Sequence, residues 1–461
     1  MALSGCAGYT PHPIDPVAVA TAFRERSLAA PELKTFLEQN LNRPFARWPP
    51  PSWNLATLTL TALYYHPDLD VARAQWAVAR AGVLTAGGRL NPTVTGSVEH
   101  ATSTAGGLSP WVFGFALDTP LAFPGKRGSR IAKARQLSEA ARFHIGAVAW
   151  QTRSRLRERL LDLFAARNEE VVQQRMASLQ DAMTTLLEQR LAVGAASQPE
   201  VTQVHLLAYQ TRAALNTAQR KREEANALLA DALGLPVEAI TGIQVLFEAF
   251  EQVSSTPEPF SEETRRQALT GRSDLLEALA EYAASQSGLQ QEITAQYPDL
   301  SLGPGYTFDQ SNNKWTLGLS LPLPLFNRNK GPIAEAKARR TESAARFTAL
   351  QAAVIGEIDH AFTSYTAARR AFDAADSLTV LQQRQSQAAE ARFNAGETDR
   401  LALVSARLDA SASALFRLNA LVELLRARSQ IEDALQRPLD ANGLLPPTFE
   451  TAPRAKENPS P

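Results

Sequence analysis

Hydrophobic and polar residues alternate in four short segments of the chain, and these segments occur as two pairs. The first pair covers residues 93–100 and 111–118, and the second covers residues 300–308 and 315–321. Alternation with a period of two is typical of a β-strand whose two faces meet different surroundings. Each pair is joined by a polar loop, so the sequence predicts two β-hairpins.

One face of the predicted strands is apolar, and the opposite face carries small or polar residues. A half-buried strand of a soluble protein shows the same alternation, so two hairpins packed on a core are one interpretation. Small opposite faces and aromatic residues near the loop ends favour membrane-spanning strands around a water-filled lumen. The residues expected to face lipid are Phe113, Phe115, Leu117, Leu317, Leu319 and Leu321.

Two long segments without internal proline follow the hairpins, between Pro124 and Pro199 and between Pro332 and Pro438. In the first, leucine, valine and methionine recur mostly at spacings of three and four, which indicates a coiled-coil-like helix. About 60 residues of helix extend roughly 90 Å, so other helices must cover the apolar stripe. A cytoplasmic coiled-coil scaffold would show the same stripe, but without paired amphipathic strands at matching points of a repeat.

The two halves of the chain repeat one order of elements, which is helix, strand, strand, long helix, turn and long helix. The separation between matching landmarks falls slowly from 206 to 202 residues. The matches are His66-Pro67-Asp68-Leu69 with Arg272-Ser273-Asp274-Leu275, Asn91-Pro92 with Tyr297-Pro298, Ala132-Lys133-Ala134-Arg135 with Ala336-Lys337-Ala338-Arg339, and Arg190 to Gly194 with Arg392 to Gly396. We interpret this as a duplicated unit, because solenoid repeats are much shorter.

These patterns divide the chain into five segments. They are an N-terminal arm (1–52), a first repeat (53–233), a connecting segment (234–265), a second repeat (266–437) and a proline-rich tail (438–461). The arm contains three consecutive prolines at 49–51 and is expected to be extended.

Composition and charge exclude several functions. Lys and Arg together number 47, as do Asp and Glu, so nothing favours a general attraction to nucleic acid. No apolar run approaches the length of a transmembrane helix. The six histidines are scattered, and neither a phosphate-binding glycine loop nor a nucleophile elbow occurs. We therefore expect no enzymatic activity, no cofactor and no metal site.

The single cysteine, Cys6, follows Leu3-Ser4-Gly5. This pattern resembles the lipobox of bacterial lipoproteins, in which cleavage precedes a cysteine that is then acylated, for example with palmitate. Only five residues precede Cys6, so the basic and apolar regions of a signal peptide are missing here. A chance match is the alternative, but the position beside the N-terminus favours a lipid anchor, and Ala7 would suit transfer to the outer membrane.

Over roughly residues 53 to 440 the chain resembles the outer membrane factor family, the TolC-like channels of tripartite efflux pumps. The most specific stretch is GLSLPLPLFNRNKG (318–331), which is similar to the cobalt-zinc-cadmium resistance branch. Its first-half counterpart, PLAFPGKRGSRIAKAR (120–135), is similar to the same branch. The resemblance implies a mainly α-helical homotrimer, with a long coiled-coil tunnel and a 12-stranded β-barrel to which each chain gives four strands.

The end of the last predicted strand is expected to be a junction between barrel and tunnel. Pro322 and Pro324 cannot donate to a sheet ladder, whereas Pro332 suits the first turn of a helix. The residues assigned to the two junctions are Pro124, Gly125, Pro322, Pro324, Gly331 and Pro332.

An Arg-x-x-x-Gly motif ends the first long helix of each half. Glycine suits a helix C-terminus that needs a positive φ, so a helix cap is the local interpretation. The resemblance implies in addition that these turns are periplasmic tips that contact an adaptor protein. The predicted contact residues are Arg190, Gly194, Arg392 and Gly396.

The resemblance also implies a constriction of the tunnel near the tips. In the best-known members two acidic residues one turn apart form it, but Ala402 and Ser405 occupy the matching positions here. The first-half equivalents are Glu200 and Gln203, and Glu397 or Asp399 are further candidates for a negative ring. Solvated residues near helix ends are the alternative interpretation of these side chains.

The implied function is a passive conduit in the outer membrane. Substrate would come from a proton-driven inner-membrane pump of the resistance-nodulation-division type and a periplasmic adaptor. The cobalt-zinc-cadmium branch favours heavy-metal cations as cargo, and multidrug or type I secretion channels of the same architecture are alternatives. A helical periplasmic scaffold or adaptor is an alternative of another class, although an adaptor would carry one hairpin beside lipoyl-like and soluble β-barrel domains.

Overall fold

The computed structural model describes residues 8–103, 106–251, 261–309 and 312–439, and it is mainly α-helical with one β-sheet. The first half contains α1 (Pro16–Arg24), α2 (Pro31–Leu41), α3 (Leu55–Tyr65), α4 (Pro67–Ala86), β1 (Thr93–His100), β2 (Trp111–Leu121), α5 (Lys126–Ala192) and α6 (Gln198–Leu233). A short 3-10 helix (Val237–Ile240) and α7 (Glu248–Glu251) follow. The second half contains α8 (Glu262–Gly271), α9 (Ser273–Thr294), β3 (Leu300–Asp309), β4 (Asn312–Ser320), α10 (Lys330–Asn394) and α11 (Arg400–Leu435). The predicted order of elements occurs in both halves.

The two longest helices are α5, with 67 residues, and α10, with 65 residues. Helices of this length are about 100 Å long. Apart from Pro332 in its first turn, α10 contains no proline, and α5 contains none, so no helix-breaking residue interrupts either one.

The chain divides into two compact units, and each unit takes segments from both halves. One consists of residues up to Leu69, Ala149–Arg265 and residues from Gly356 onward, and the other of Asp70–Val148 and Arg266–Ile355. The repeats predicted at 53–233 and 266–437 are therefore the duplicated segments of the sequence, and they do not coincide with the two compact units. The reason is that elements of one half pack against elements of the other, as β2 does with β3 and α5 does with α11.

The second unit contains a four-stranded sheet in the order β1-β2-β3-β4, and every neighbouring pair is antiparallel. The predicted hairpins are β1–β2 and β3–β4. The two halves meet where β2 pairs with β3, with Phe113 opposite Phe308 and Phe115 opposite Tyr306. Within the described residues, the outer edges of β1 and β4 have no partner strand.

The ends of three strands differ from the sequence prediction. β2 continues to Leu121, because residues 119–121 pair with residues 300–302 of β3. β3 continues to Asp309, and β4 begins at Asn312 and ends at Ser320, so that Leu321 lies outside it. Alternation identifies the middle of a strand, whereas pairing sets its ends, and Pro322 has no N–H to extend the ladder.

The first unit has a core of apolar side chains. Its members come from α2, α3, α5, α6 and α11, and the most deeply buried include Leu33, Leu37, Leu58, Leu60, Leu156, Leu160, Leu163, Leu229 and Ile431. The arm that was expected to be extended contains the helices α1 and α2, and it contributes to this core through Leu33, Phe36 and Leu37 of α2. Pro31 and Glu32 suit the first turn of α2, and the prolines at 49–51 come only after its end.

Among the described residues, none of the helices combines the length and the apolarity that crossing a membrane requires.

Candidate functional site

The turn between α5 and α6 (residues 193–197, the first tip) is built on the Arg190-x-x-x-Gly194 motif. Gly194 has a φ of +72°, a left-handed conformation that glycine adopts without strain. The N–H of Ala195 donates to the Arg190 carbonyl over 2.7 Å, and the N–H of Gly194 donates to the Leu191 carbonyl over 2.9 Å. These two bonds form a Schellman motif, in which the arginine supplies the outer carbonyl.

The turn between α10 and α11 (residues 395–399, the second tip) repeats this geometry. Gly396 has a φ of +74°, and its N–H donates to the Phe393 carbonyl over 3.0 Å. The N–H of Glu397 donates to the Arg392 carbonyl over 2.9 Å. The spacing of Arg-x-x-x-Gly is therefore the spacing between the two capping positions, and both glycines end a helix as the sequence predicts.

The side chains of the two tips are joined by one ion pair. A guanidinium nitrogen of Arg190 lies 2.5 Å from a carboxylate oxygen of Asp399. The other Asp399 oxygen accepts a 2.9 Å hydrogen bond from the Ala402 N–H and so caps α11. The bond from Ala402 and then that from Arg190 hold the pKa of Asp399 below its ordinary value. Asp399 is thus ionised and connects the second tip to the last turn of α5.

The other predicted gate residues have separate surroundings. Glu200 accepts hydrogen bonds from the N–H (2.6 Å) and the hydroxyl (2.8 Å) of Ser197, and these bonds lower the pKa of its carboxyl. Glu397 lies 3.8 Å from Arg392 within its own tip. Gln203 is exposed on α6. Within one chain the four candidates therefore do not form a single cluster, and the negative ring stays a prediction.

Two contacts near the tips were not predicted. The Arg190–Asp399 pair joins residues 209 apart in the sequence, and no sequence pattern indicates it. His205 lies 3.0 Å from Glu188 and connects α6 to α5 near the first tip. The capping role of Glu200 had a sequence signal, because Ser followed three residues later by Glu is a capping-box pattern.

The predicted lipid-facing residues of β2 and β4 share one face of the sheet. Phe115 pairs with Tyr306, and Tyr306 pairs with Trp315, so the alternation carries the apolar face across three strands. Leu317 of this face is 76% exposed, and the described part of the chain provides no core to cover it. This exposure disfavours the interpretation as hairpins packed on a core. The full set assigned to the lipid face is Phe113, Phe115, Leu117, Leu317, Leu319 and Leu321, the last of which lies one residue beyond β4.

The opposite face of the sheet is lined by small and polar residues that pack closely. A Cβ atom on Gly305 would lie 2.6 Å from the Thr316 hydroxyl and 3.3 Å from the Phe115 carbonyl oxygen, so a side chain there would displace its neighbours. Lys314 and Asp309 form a 2.6 Å ion pair on the same face. A polar face of this kind suits a water-filled lumen.

The two predicted junctions are built differently. In the first, Gly125 has a φ of +93° after Pro124, and Phe123 stacks on Tyr297 with 4.7 Å between ring centroids. Asp299 accepts a 2.8 Å bond from the Phe123 N–H and pairs with Lys126 at 2.9 Å.

In the second junction, Asn329 rather than Gly331 has the positive φ, +57°. Its amide group donates to the Glu292 carbonyl over 2.8 Å. Pro322 and Pro324 lie outside β4, and Pro332 lies in the first turn of α10.

Some predictions fall outside the described residues. Cys6 and residues 440–461 of the tail are among these. Within the residues that the structure covers, no three His, Cys, Asp or Glu side chains come together in a way that could hold a metal ion.

Comparisons with known proteins identify a family for this chain and solved structures that share its fold. The family model of outer membrane efflux proteins matches residues 59–235 and 264–439, one match in each half. The chain is 24% identical over 426 residues to the pyoverdine export outer membrane protein OpmQ of Pseudomonas aeruginosa, which covers 86% of this chain and 85% of OpmQ.

A second relative is the cobalt-zinc-cadmium resistance protein CzcC of Cupriavidus metallidurans. It is 25% identical over 282 residues, which cover 58% of this chain and 62% of CzcC. Among solved structures, the outer-membrane channel OprN superimposes with a TM-score of 0.69 at 20% identity, covering 94% of this chain and 99% of OprN. At this sequence identity, the similarity to OprN shows a shared fold and nothing more.

Proposed function

This chain belongs to the outer membrane efflux protein family, and from that premise we propose that it is the outer-membrane channel of a tripartite efflux system. The observation that carries the proposal is the sheet, which exposes an apolar face and leaves both edges without a partner strand within the described residues. Such a channel is a passive conduit. A proton-driven inner-membrane pump of the resistance-nodulation-division type would supply the energy.

Oligomerisation follows from the physical chemistry of the sheet, and the family implies that the oligomer is a homotrimer. Bilayer hydrocarbon cannot satisfy the N–H and C=O groups of an open sheet edge, so membrane strands close into barrels. The smallest such barrels have about eight strands, and one chain provides four. Three copies joined edge to edge, β4 of one to β1 of the next, would form the 12-stranded barrel.

The two tips are the proposed contact sites for a periplasmic adaptor. Their support is the repeated Schellman geometry, which presents two equivalent turns from one chain. Val193 is an exposed apolar side chain beside Gly194 and offers a surface for packing. We assign the adaptor contact to Arg190, Gly194, Arg392 and Gly396.

Asp399 is the strongest of the gate candidates. Its pairing with Arg190 connects the two hairpins of one chain, whereas Glu200 and Glu397 contact only their own turns. An ion pair between hairpins would restrict their separation and so narrow the entrance of a tunnel. Acylation of Cys6 would anchor the chain to the outer membrane.

The proposed cargo is heavy-metal cations. Its support is the similarity to CzcC, a cobalt-zinc-cadmium resistance protein. Export of a small organic molecule is the second candidate, because the longer alignment is with OpmQ, a pyoverdine export protein. With no metal-binding cluster in the described part of the chain, cargo selection would be the task of the pump.

Two experiments test this function separately from its cargo. Protein extracted from outer membranes with detergent should be a trimer by light scattering and should form conducting pores in planar bilayers. A water-soluble monomer with full helicity would contradict the channel itself. A deletion strain should lose tolerance to cobalt, zinc or cadmium, and unchanged tolerance would reject the metal cargo while leaving the conduit intact.

A further inference from the structure

A glycine and a lysine fit together where the two halves of the chain pack. Gly288 of α9 faces the Lys133 side chain of α5, and a Cβ atom on Gly288 would lie 3.7 Å from Lys133 Cδ and Cε. The missing side chain leaves space for the end of the lysine side chain, whose Nζ would lie 3.8 Å from the same Cβ atom.

Two further contacts align the same helices. Ser129 of α5 approaches Thr294 of α9 to 3.5 Å, and His144 of α5 lies 3.1 Å from Glu277. The helices α5 and α9 therefore pack antiparallel over this stretch.

The same glycine and lysine occur at the corresponding positions of the other half. Gly82 of α4 precedes Gly288 by 206 residues, the separation of the landmarks on either side of it. Lys337 of α10 belongs to the repeated Ala-Lys-Ala-Arg stretch and corresponds to Lys133. Yet a Cβ atom on Gly82 would have nothing within 4 Å, and Lys337 is exposed. Within the described residues, this second pair therefore lacks the packing partner that the first pair has.

Neighbouring positions show the same asymmetry. Ala284 of α9 is 3% exposed, whereas Val78, its equivalent on α4, is 73% exposed. Val71 is an exposed apolar residue where the equivalent Glu277 contacts α5. In the part of the chain that the structure describes, no helix thus covers the outer face of α4 as α5 covers α9.

The order of the elements shows which helix is missing. Gly87, the residue after α4, accepts a hydrogen bond from Arg127 of α5, and α5 contacts α9. Asn329, the residue before α10, donates to the carbonyl of Glu292 in α9. This row parallels the strand order, so α4 and β1 are at one end and β4 and α10 are at the other. The packing that joins α5 to α9 within one chain would then be repeated between chains, with α10 of one copy beside α4 of the next.

We propose that the outer face of α4 binds α10 of a second copy of this chain, with Lys337 of that copy packed over Gly82. This contact between two copies would have the same geometry as the contact of Lys133 with Gly288 within one copy. This inference rests on the trimer of the proposed function. It adds which residues of α4 and α10 lie opposite each other between neighbouring copies, a pairing that we call the register. In the same register Val71 would face Thr348 of the second copy, since these residues correspond to Glu277 and His144.

Cysteine cross-linking in outer-membrane vesicles tests this register. The double variant Gly82→Cys/Lys337→Cys, treated with a short bis-maleimide, should give covalent dimers and trimers on denaturing gels. Each single variant, which keeps Cys6, should remain at the background of the parent protein. Arg80→Cys/Lys337→Cys is the matched control, because residue 80 lies about 200° around α4 from residue 82. That control should not link.

The repeat also provides a positive control within one chain. Lys133→Cys/Gly288→Cys should give an intrachain cross-link that mass spectrometry detects, without larger species. Should Gly82→Cys impair assembly, Val71→Cys/Thr348→Cys tests the same register with side chains that tolerate substitution.

Light scattering on the same samples separates the outcomes. A trimer with linked chains supports the inference. A trimer whose chains stay unlinked for both pairs overturns the register and leaves the channel function in place. A monomer overturns both, and a missing intrachain link removes the contact from which the register is inferred.

Discussion

At the residue scale, Glu432 of α11 shows how the two halves are held together in the helical core. Its side chain is 1% exposed, accepts a 2.8 Å hydrogen bond from Arg153 of α5 and also contacts Arg157. Burial raises the pKa of Glu432, but the charges of Arg157 and Arg153 and their hydrogen bonds outweigh it and hold the pKa below its ordinary value. The folded state therefore favours the ionised carboxylate.

Replacing this carboxylate should destabilise the protein strongly. We expect Glu432→Gln to lower the free energy of unfolding by about 3–5 kcal/mol, because two buried guanidinium groups lose their counter-charge. Glu423→Gln on the same helix removes an exposed pair with Arg426 and should cost about 0–1 kcal/mol. Denaturant titration in detergent, followed by circular dichroism, measures both. Equal free energies of unfolding for the two variants would show that the buried cluster contributes no more stability than an exposed ion pair.

The direction of the same pKa shift sets a pH dependence. Because the pKa of Glu432 is lower in the folded state than in the unfolded state, its contribution is complete above the unfolded value of about 4.3. The contribution is lost as pH falls through the folded pKa. Unfolding titrations below about pH 4.3 should therefore show a steeper loss of stability in the parent than in Glu432→Gln. Parallel pH profiles would contradict this assignment.

At the scale of the elements, the tips depend on glycine for a reason that can be separated from helix propensity. Gly194→Ala places a Cβ on a residue with a φ of +72° and should destabilise the protein by about 1–2 kcal/mol. Gly356→Ala, inside α10 with open space around it, should stabilise by about 0.5–1 kcal/mol. Thermal unfolding compares the two, and the same sign for both would reject the Schellman explanation.

The ion pair between the tips should limit channel opening. Arg190→Ala removes the contact with Asp399, and an exposed pair of this kind is worth up to about 1 kcal/mol, or about fivefold in an equilibrium. We therefore expect a rise of up to about fivefold in open probability in planar bilayers. Arg392→Ala is the control, since its partner Glu397 lies in the same tip. If Arg392→Ala raised the open probability more than Arg190→Ala did, the pair of Arg190 and Asp399 would not be the contact that limits opening.

The elements differ in how far the sequence could predict them. The strand at 111–118 and the long helices follow from periodicity, because a period of two or of three to four reflects which face is covered. The glycine turns follow from backbone geometry, which is local. The Arg190–Asp399 pair and the helices of the N-terminal arm depend on which distant segments pack together. Local patterns carry no such information, and so the candidate site was predicted as separate residues.

At the scale of the whole molecule, we predict that one face of the sheet meets lipid and the other meets water. The pairing of Phe115, Tyr306 and Trp315 gives the first face, and Lys314 with Asp309 marks the second. If the sheet is part of a barrel, the side chains of neighbouring residues in one strand therefore face lipid and water in turn. A charge placed on each face in turn distinguishes this arrangement from hairpins packed on a protein core.

Leu317 and Thr316 of β4 provide that comparison with a single substitution type. Arginine on the lipid face of a barrel costs about 2–4 kcal/mol near the bilayer centre, whereas a lumen position tolerates it. We expect Leu317→Arg to reduce the amount of folded trimer in outer membranes, measured by resistance to protease and by light scattering after extraction. Thr316→Arg should assemble like the parent and alter ion selectivity in planar bilayers, because its charge would lie in the conducting path. If Leu317→Arg assembles normally while Thr316→Arg does not, the assignment of the two faces is reversed. If both fail equally, the sheet is buried on both sides and is not the wall of a channel.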